Sequence, residues 1–251
     1  MKIAVITGAS AGLGKEFLGL ISEYYPEIEE YWLIARNKEK LEAAASLANR
    51  PCRIIPGDLT LDESYDMLES EAKTLSPEVK LLINNAGCGY LGNVGEGKRE
   101  EQTRTVDLNL RGLVAVTHIF IPYMTKGAKI INISSIASFC PNPRMTVYSS
   151  SKAFVTAFSI GIGEELRERG ITSTAVCPGP MDTEFICLGG IKGNSKMFEI
   201  LPYCDPKKVA IGSLKAAKRG RSVYTPRGFF KFYRVLAKIL PVKLMVKFAK
   251  T

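Results

Sequence analysis

Tyr148 and Lys152 stand four residues apart in a stretch of helical periodicity, so their side chains lie one above the other on one face. A free phenol titrates near 10, too high for easy proton exchange at neutral pH. An ammonium fixed beside it favours the phenolate and lowers that value, which makes Tyr148 the candidate general acid/base. A second chemical feature follows the first apolar run of the chain: Thr7-Gly8-Ala9-Ser10-Ala11-Gly12-Leu13-Gly14. Glycines at these places let the backbone turn tightly, approach a pyrophosphate and pack the next helix closely on a sheet. The start of that helix offers free N–H groups to phosphate oxygens. The spacing is G-x-x-x-G-x-G rather than the G-x-G-x-x-G of the common dinucleotide fingerprint.

These groups need rigid elements to hold them. Short runs rich in β-branched residues at 2–7, 31–35, 53–55, 80–84, 128–134 and 172–177 read as buried parallel strands. Between them lie helical patterns, the first carrying Leu13, Phe17, Leu20 and Ile21 at i, i+4, i+7 and i+8, the others near 38–48, 62–76, 103–124, 147–169 and 206–218. Strand and helix in alternation predict a single α/β domain of the Rossmann type, a doubly wound parallel sheet. We expect a dinucleotide-binding catalytic domain over residues 1–225, with a substrate loop at about 182–204 and a basic amphipathic extension over 226–251. The Gly-rich stretch 189–195 reads as a mobile loop.

Further motifs appear in a fixed order: Asn84-Asn85-Ala86-Gly87 after the fourth strand, Asn109 in the following helix, Ser135 after the fifth strand, then Tyr148-Ser149-Ser150-Ser151-Lys152, and Pro178-Gly179-Pro180-Met181-Asp182-Thr183 after the sixth. With the glycine loop, these make the chain resemble the short-chain dehydrogenase/reductase family over roughly residues 2–185. The resemblance implies that the Ser135 hydroxyl holds a substrate oxygen and that Lys152 also binds the nicotinamide ribose, while Asn109 supports a water-linked proton path. Ser134 is adjacent, but the spacing to Tyr148 favours Ser135 as the catalytic serine. The resemblance further implies cofactor contacts from Gly8, Ser10, Gly12, Leu13, Gly14, Asn85, Ala86, Gly87, Pro178, Gly179, Met181 and Thr183, together with Tyr148 and Lys152. Asp58 and Leu59 resemble the pair that meets the adenine ring.

Cofactor choice is read at the end of the second strand, where an acidic residue would bind the ribose 2′-hydroxyl. The run Leu33-Ile34-Ala35-Arg36-Asn37-Lys38 has no acid. A guanidinium matches a 2′-phosphate in charge and forked geometry, so Arg36, helped by Asn37, points to NADP(H). Many relatives that prefer NADP also carry a basic residue just before the second motif glycine, where this chain has Ala11. Ile136, Phe139, Pro141, Pro143 and Met145 after the serine, and Phe185, Ile186, Leu188, Met197, Phe198 and Leu201 further on, are candidates to wall an apolar pocket for a lipophilic ketone or alcohol of steroid, bile-acid or acyl type. Cys88 and Cys140 are expected near it, with nothing beside them to mark a nucleophile.

Composition sets the remaining bounds. Six cysteines without C-x-x-C spacing and a lone His118 supply no metal site, and fit free thiols in a reducing cytosol. His118 is read as structural or interfacial. Residues 2–7 are too short for a signal-peptide core and no window reaches the roughly 18 apolar residues of a membrane span, so a cytoplasmic protein is expected. The net charge of +9 is uneven: residues 206–251 hold thirteen basic and no acidic residue, whereas the first 205 hold 21 basic and 25 acidic. That excludes a uniformly basic nucleic-acid binder. The tail has three candidate roles, namely contact with an anionic membrane surface, cover of the substrate pocket, and packing against a second copy in a homo-oligomer. Two competing functions remain, a non-catalytic nucleotide-binding or redox-sensing module and nucleic-acid binding by the tail. The first gives no chemical reason for the Asn109, Ser135, Tyr148 and Lys152 set, and the second lacks a reading motif.

Overall fold

Five consecutive residues of the first strand, β1 (Lys2–Thr7), are buried because alternate side chains enter two different cores. Ala4 and Ile6 join one apolar cluster, Ile3 and Val5 the other. This is why the strand reads as a continuous apolar run rather than an alternating one. The computed structural model describes residues 1–191 and 193–249, without the side chains of Cys187, Leu188, Lys196 and Phe248.

Among the described residues the strands β1, β2 (Glu30–Ala35), β3 (Cys52–Pro56), β4 (Glu78–Asn84), β5 (Met124–Ile133), β6 (Thr172–Val176) and β7 (Val223–Tyr224) form one sheet in the order β3-β2-β1-β4-β5-β6-β7. Every pairing is parallel. The order reverses between β1 and β4, which opens a crevice at the carboxyl ends of the strands. One face is covered by α1 (Gly12–Leu18), α2 (Ile21–Tyr24), α3 (Lys38–Ala45) and α10 (Pro206–Lys218), through Phe17, Ile21, Leu41 and Leu214. On the other lie α4 (Asp62–Leu75), α5 (Arg99–Val106), α6 (Leu113–Phe120) and α7 (Thr146–Glu165), with Leu68, Val116 and Phe120 in its core. Short helices α8 (Glu184–Leu188) and α9 (Lys196–Ile200) stand above the crevice, and α11 (Gly228–Ile239) and α12 (Val242–Phe248) follow β7.

Three elements depart from the sequence reading. The first helix is broken at Gly19, yet Leu13, Phe17, Leu20 and Ile21 all remain buried, so the periodicity marked the core face correctly and the length incorrectly. The pattern near 103–124 begins at Arg99 and widens into a π-helical turn over Asp107–Gly112 before α6 resumes. Strand β7, two residues long, leaves no signal in the sequence, because so short a run has no period. The 189–195 stretch joins α8 to α9, with Ile191 fully buried and Ser195 capping α9 through the Phe198 N–H. Lys192 lies outside the described residues. Among those described, no helix is long and apolar enough to cross a membrane.

Candidate active site

One cleft of about 800 Å³ runs along the carboxyl ends of the strands, a size suited to a dinucleotide and a small substrate. Its floor at one end is the loop after β1. Gly8 and Gly12 have φ of +64° and +51°, a left-handed conformation that favours glycine. A Cβ on Gly8 would stand 2.8 Å from Asn85 Nδ2, and one on Gly14 would collide with the Gly8 carbonyl. Gly14 thus packs under the loop rather than lining the cleft, while Gly8, Ser10, Gly12 and Leu13 line it. The helix they open is capped by Ala11, which has no side-chain acceptor for the first N–H groups. A cradle that any Cβ would fill, with uncapped donors above it, fits a pyrophosphate.

Thr7 and Asn85 tie this loop to β4. The Thr7 hydroxyl accepts from the N–H groups of Asn85 and Ala86, both at 3.0 Å, and Asn85 Nδ2 donates to the Thr7 and Gly8 carbonyls at 3.1 Å. Asn85, Ala86 and Gly87 all line the cleft. Beyond β2, Arg36 is exposed at the cleft and has no hydrogen bond or ion pair among the described residues. Asn37 caps α3 by accepting from the Lys40 N–H at 2.6 Å. That engages the amide oxygen and leaves the amide nitrogen, the atom able to donate to a phosphate beside Arg36. Lys40 also lines the cleft, 3.1 Å from Glu184 at the start of α8, an ion pair 144 residues apart in sequence that no local pattern signalled. Asp58 lines the cleft with its carboxylate held by Arg104 at 2.9 Å and by Thr60. Burial raises its pKa, but the Arg104 and Thr60 hydrogen bonds outweigh that and hold it below the ordinary range. Leu59, buried, lines the same end.

Ser135, Tyr148 and Lys152 meet at the middle of the cleft. Ser135 leaves β5 and caps a 3-10 turn over Ile136–Ser138, accepting from the Ala137 N–H at 3.1 Å. Ser134, by contrast, donates to the Lys152 carbonyl at 2.8 Å and bonds the Thr156 hydroxyl at 2.7 Å, so it anchors α7. Tyr148 lies in the first turn of α7, its ring packed on Gly89, where a Cβ would collide with it. The Lys152 ammonium is 5.7 Å from the Tyr148 ring centre and donates to the Ile133 carbonyl at 2.8 Å. Asn109, in the π turn, does not line the cleft. Its amide donates to the Cys88 carbonyl at 2.8 Å and to Ser151 at 2.9 Å, and accepts from the Cys88 N–H at 2.9 Å. Gly87 lies between it and Lys152, since a Cβ there would be 3.0 Å from Asn109 Oδ1 and 3.3 Å from Lys152 Nζ.

The expected lowering of the Tyr148 pKa is not what the protein shows. Burial pushes the phenol up to about 12, and the hydrogen bond with Ser135 only partly offsets it. Burial likewise pushes Lys152 down to about 8, although Cys88 and Cys177 pull it the other way. Both groups are thereby driven toward their neutral forms. The Cys88 thiol, which lines the cleft, is pushed up by burial, the opposite of an activated nucleophile.

At the far end Ile136, Met145, Phe185, Ile186, Met197, Phe198 and Leu201 wall the cleft as expected of them, and the Phe185 ring sits 5.4 Å from that of Tyr148. Phe139, Pro141 and Pro143 do not line it. Phe139 turns to the ring of Tyr233 in α11, and Cys140 is buried against Met245 and Ala249 rather than near the pocket. The Leu188 side chain is outside the described residues. Pro178, Gly179, Met181 and Thr183 form the wall across from the glycine loop, and a Cβ on Gly12 would meet Thr183 at 3.3 Å. His118 is exposed on α6, away from the cleft.

The family model described as short chain dehydrogenase matches residues 2–186. An uncharacterised oxidoreductase of Staphylococcus aureus is 32% identical over 218 residues, 86% of this chain and 90% of the relative. Another, from Staphylococcus epidermidis, is 28% identical over 184 residues, 72% of this chain and 79% of its own. Among solved structures, a short-chain dehydrogenase from Sphingobium yanoikuyae in complex with NADPH superposes with a TM-score of 0.80 at 24% identity, over 95% of this chain and 93% of that one. The bulky-bulky ketone specific alcohol dehydrogenase from Comamonas testosteroni gives 0.75 at 25% identity, over 95% and 92%.

Proposed function

The chain belongs to the short-chain dehydrogenase family, an oxidoreductase family, and from that premise we propose that it interconverts a lipophilic ketone and its secondary alcohol with NADP(H). The observation that carries this reading is the convergence of Ser135, Tyr148 and Lys152 in the cleft whose floor is the glycine loop. NADP(H), when bound, supplies or takes the hydride. Ser135 and Tyr148 share a hydrogen bond, so their hydroxyls are close enough to hold one carbonyl oxygen between them. With its pKa near 12 the phenol is protonated at neutral pH and is set to give its proton to that oxygen in the reducing direction. Lys152 has one N–H committed to the Ile133 carbonyl, leaving two for ribose hydroxyls. Asn109 fixes the Cys88 backbone and Ser151 and so positions the wall behind Lys152.

Arg36 supports NADP(H) over NAD(H), because an exposed, unpaired guanidinium at the cleft loses nothing by engaging a 2′-phosphate. The apolar end supports a bulky lipophilic substrate, and the likeness to the Comamonas enzyme accords with it. The experiment is a set of ketones with NADPH followed at the nicotinamide absorbance, on wild type, Tyr148→Phe and Arg36→Ala. Tyr148→Phe is expected to keep cofactor binding and lose nearly all turnover. Arg36→Ala should weaken NADPH by roughly 10- to 100-fold, as a charge-assisted bidentate contact predicts, and leave NADH unchanged. Equal NADH and NADPH affinity in the wild type would overturn the cofactor assignment, and turnover in Tyr148→Phe the acid/base.

A further inference from the structure

Helix α11 has two apolar faces. Its inner one is accounted for: Phe230 is fully buried in the main core against Gly179, and Tyr233 and Ala237 pack with Cys140 and Met245. On the opposite side, Phe232, Val235 and Ile239 recur at i, i+3 and i+7 with 63%, 53% and 72% of their surface exposed. A helix on a globular surface needs one apolar stripe to hold it down; a second stripe facing outward is stabilised only if something else covers it. Phe229 and Val242, both more than half exposed, extend this stripe at either end of the helix.

Charge identifies what covers it. At 100° per residue Lys231 and Lys238 run along one flank of the stripe, and Lys243 and Lys247 continue the exposed basic set on α12. No described ion pair involves any of them, and residues 206–251 contain no acid. We propose that α11 and α12 seat the protein on an anionic lipid surface, the outer stripe sinking among the acyl chains while the lysines meet headgroup charge. A second copy docked stripe to stripe would bring the same lysines face to face without a counter-charge. Nucleic acid would engage the lysines and leave the stripe in water. Through Phe230 on Gly179, the seated helix backs directly onto the wall of the cleft. The surface stands on its own observations, whether or not the ketone reading holds.

The test is co-sedimentation of the full chain with phosphatidylcholine vesicles, with and without phosphatidylserine, at low and high salt. Wild type is expected to bind only the phosphatidylserine vesicles and to be released by salt. The double variant Lys231→Glu/Lys238→Glu should bind at least about tenfold more weakly, since each basic residue contributes roughly fivefold, and Phe232→Ser/Ile239→Ser likewise, since it removes two large apolar side chains from the acyl layer. All four residues are exposed, so thermal melting and activity on a water-soluble ketone should match wild type; if the serine pair fails to fold, the glutamate pair still reads the outcome. Absence of wild-type binding, equal binding to neutral vesicles, or variants that bind like wild type would each overturn the proposal. So would a concentration-dependent dimer that is lost in Phe232→Ser/Ile239→Ser while lipid binding is absent.

Discussion

Replacing Lys152 by methionine should make the protein more stable and inactive at once. Only 5% of Lys152 is exposed, and burial lowers its pKa from 10.5 to about 8 against a weaker opposing pull from Cys88 and Cys177. Below pH 8 the side chain is charged in both folded and unfolded chains, and a gap of this size corresponds to roughly 3 kcal/mol against the folded state. Between pH 8 and 10.5 the unfolded chain binds more protons than the folded one, so wild-type stability rises with pH and the penalty fades. Methionine keeps the apolar stem but removes the donor to the Ile133 carbonyl, which costs about 1 kcal/mol. The net gain at pH 7 is about 2 kcal/mol, or a Tm rise of roughly 4–8 °C for a chain of this length. Calorimetry of both proteins without nucleotide at pH 7 and pH 10 reads it. The difference between them cancels the buried thiols and phenols, which titrate alike in each. A variant less stable than wild type at pH 7, or a difference that does not shrink toward pH 10, would refute the reasoning.

Two further substitutions probe the packing that shapes the cleft. Gly14→Ala puts a Cβ into the Gly8 carbonyl and within 2.6 Å of Asn85 Nδ2, so the loop must move. NADPH affinity measured by fluorescence should fall at least tenfold, with a stability loss of about 1–3 kcal/mol by overpacking. Phe230→Ala empties a fully buried site in the main core and should cost about 3–5 kcal/mol in a urea melt, with weaker cofactor binding because Gly179 loses its backing.

Those effects follow from contacts of unequal legibility. The sheet was readable because its central strands hold unbroken buried runs, Ile3 to Ile6 in β1, Tyr31 to Ile34 in β2 and Leu81 to Ile83 in β4, and Pro206–Lys218 was readable because Asp205 and Pro206 mark its start. Tyr148 and Lys152 share a face by helix geometry alone, and the glycine loop declares itself through residues that must lack a Cβ. What escaped was long-range or collective. Lys40 reaches Glu184 and Tyr148 rests on Gly89 only after the sheet has brought their loops together. The π turn at Asn109 depends on where α5 and α6 must pack, which no local propensity encodes. The Tyr148 pKa moves against the expectation because spacing reveals the neighbouring ammonium but not the depth of burial, and here burial is the larger influence.

The tail shows how charge composition leaves packing unread. Thirteen basic residues without an acid set the charge of 206–251 but not its packing: α10 supplies Val209, Ala210 and Leu214 to the main core, and within the extension expected over 226–251 α11 adds Phe230. A deletion before Phe229 would therefore remove a core side chain and the lysines together, and any loss of lipid binding would be indistinguishable from a loosened fold. Substitutions at Phe232 and Ile239 touch only the outward stripe, half a turn away from Phe230. Unchanged melting with lost vesicle binding in that variant would assign the lipid contact to the outer face, while unchanged vesicle binding would leave the inner face, and its contact with the cleft wall, as the whole reason for the helix.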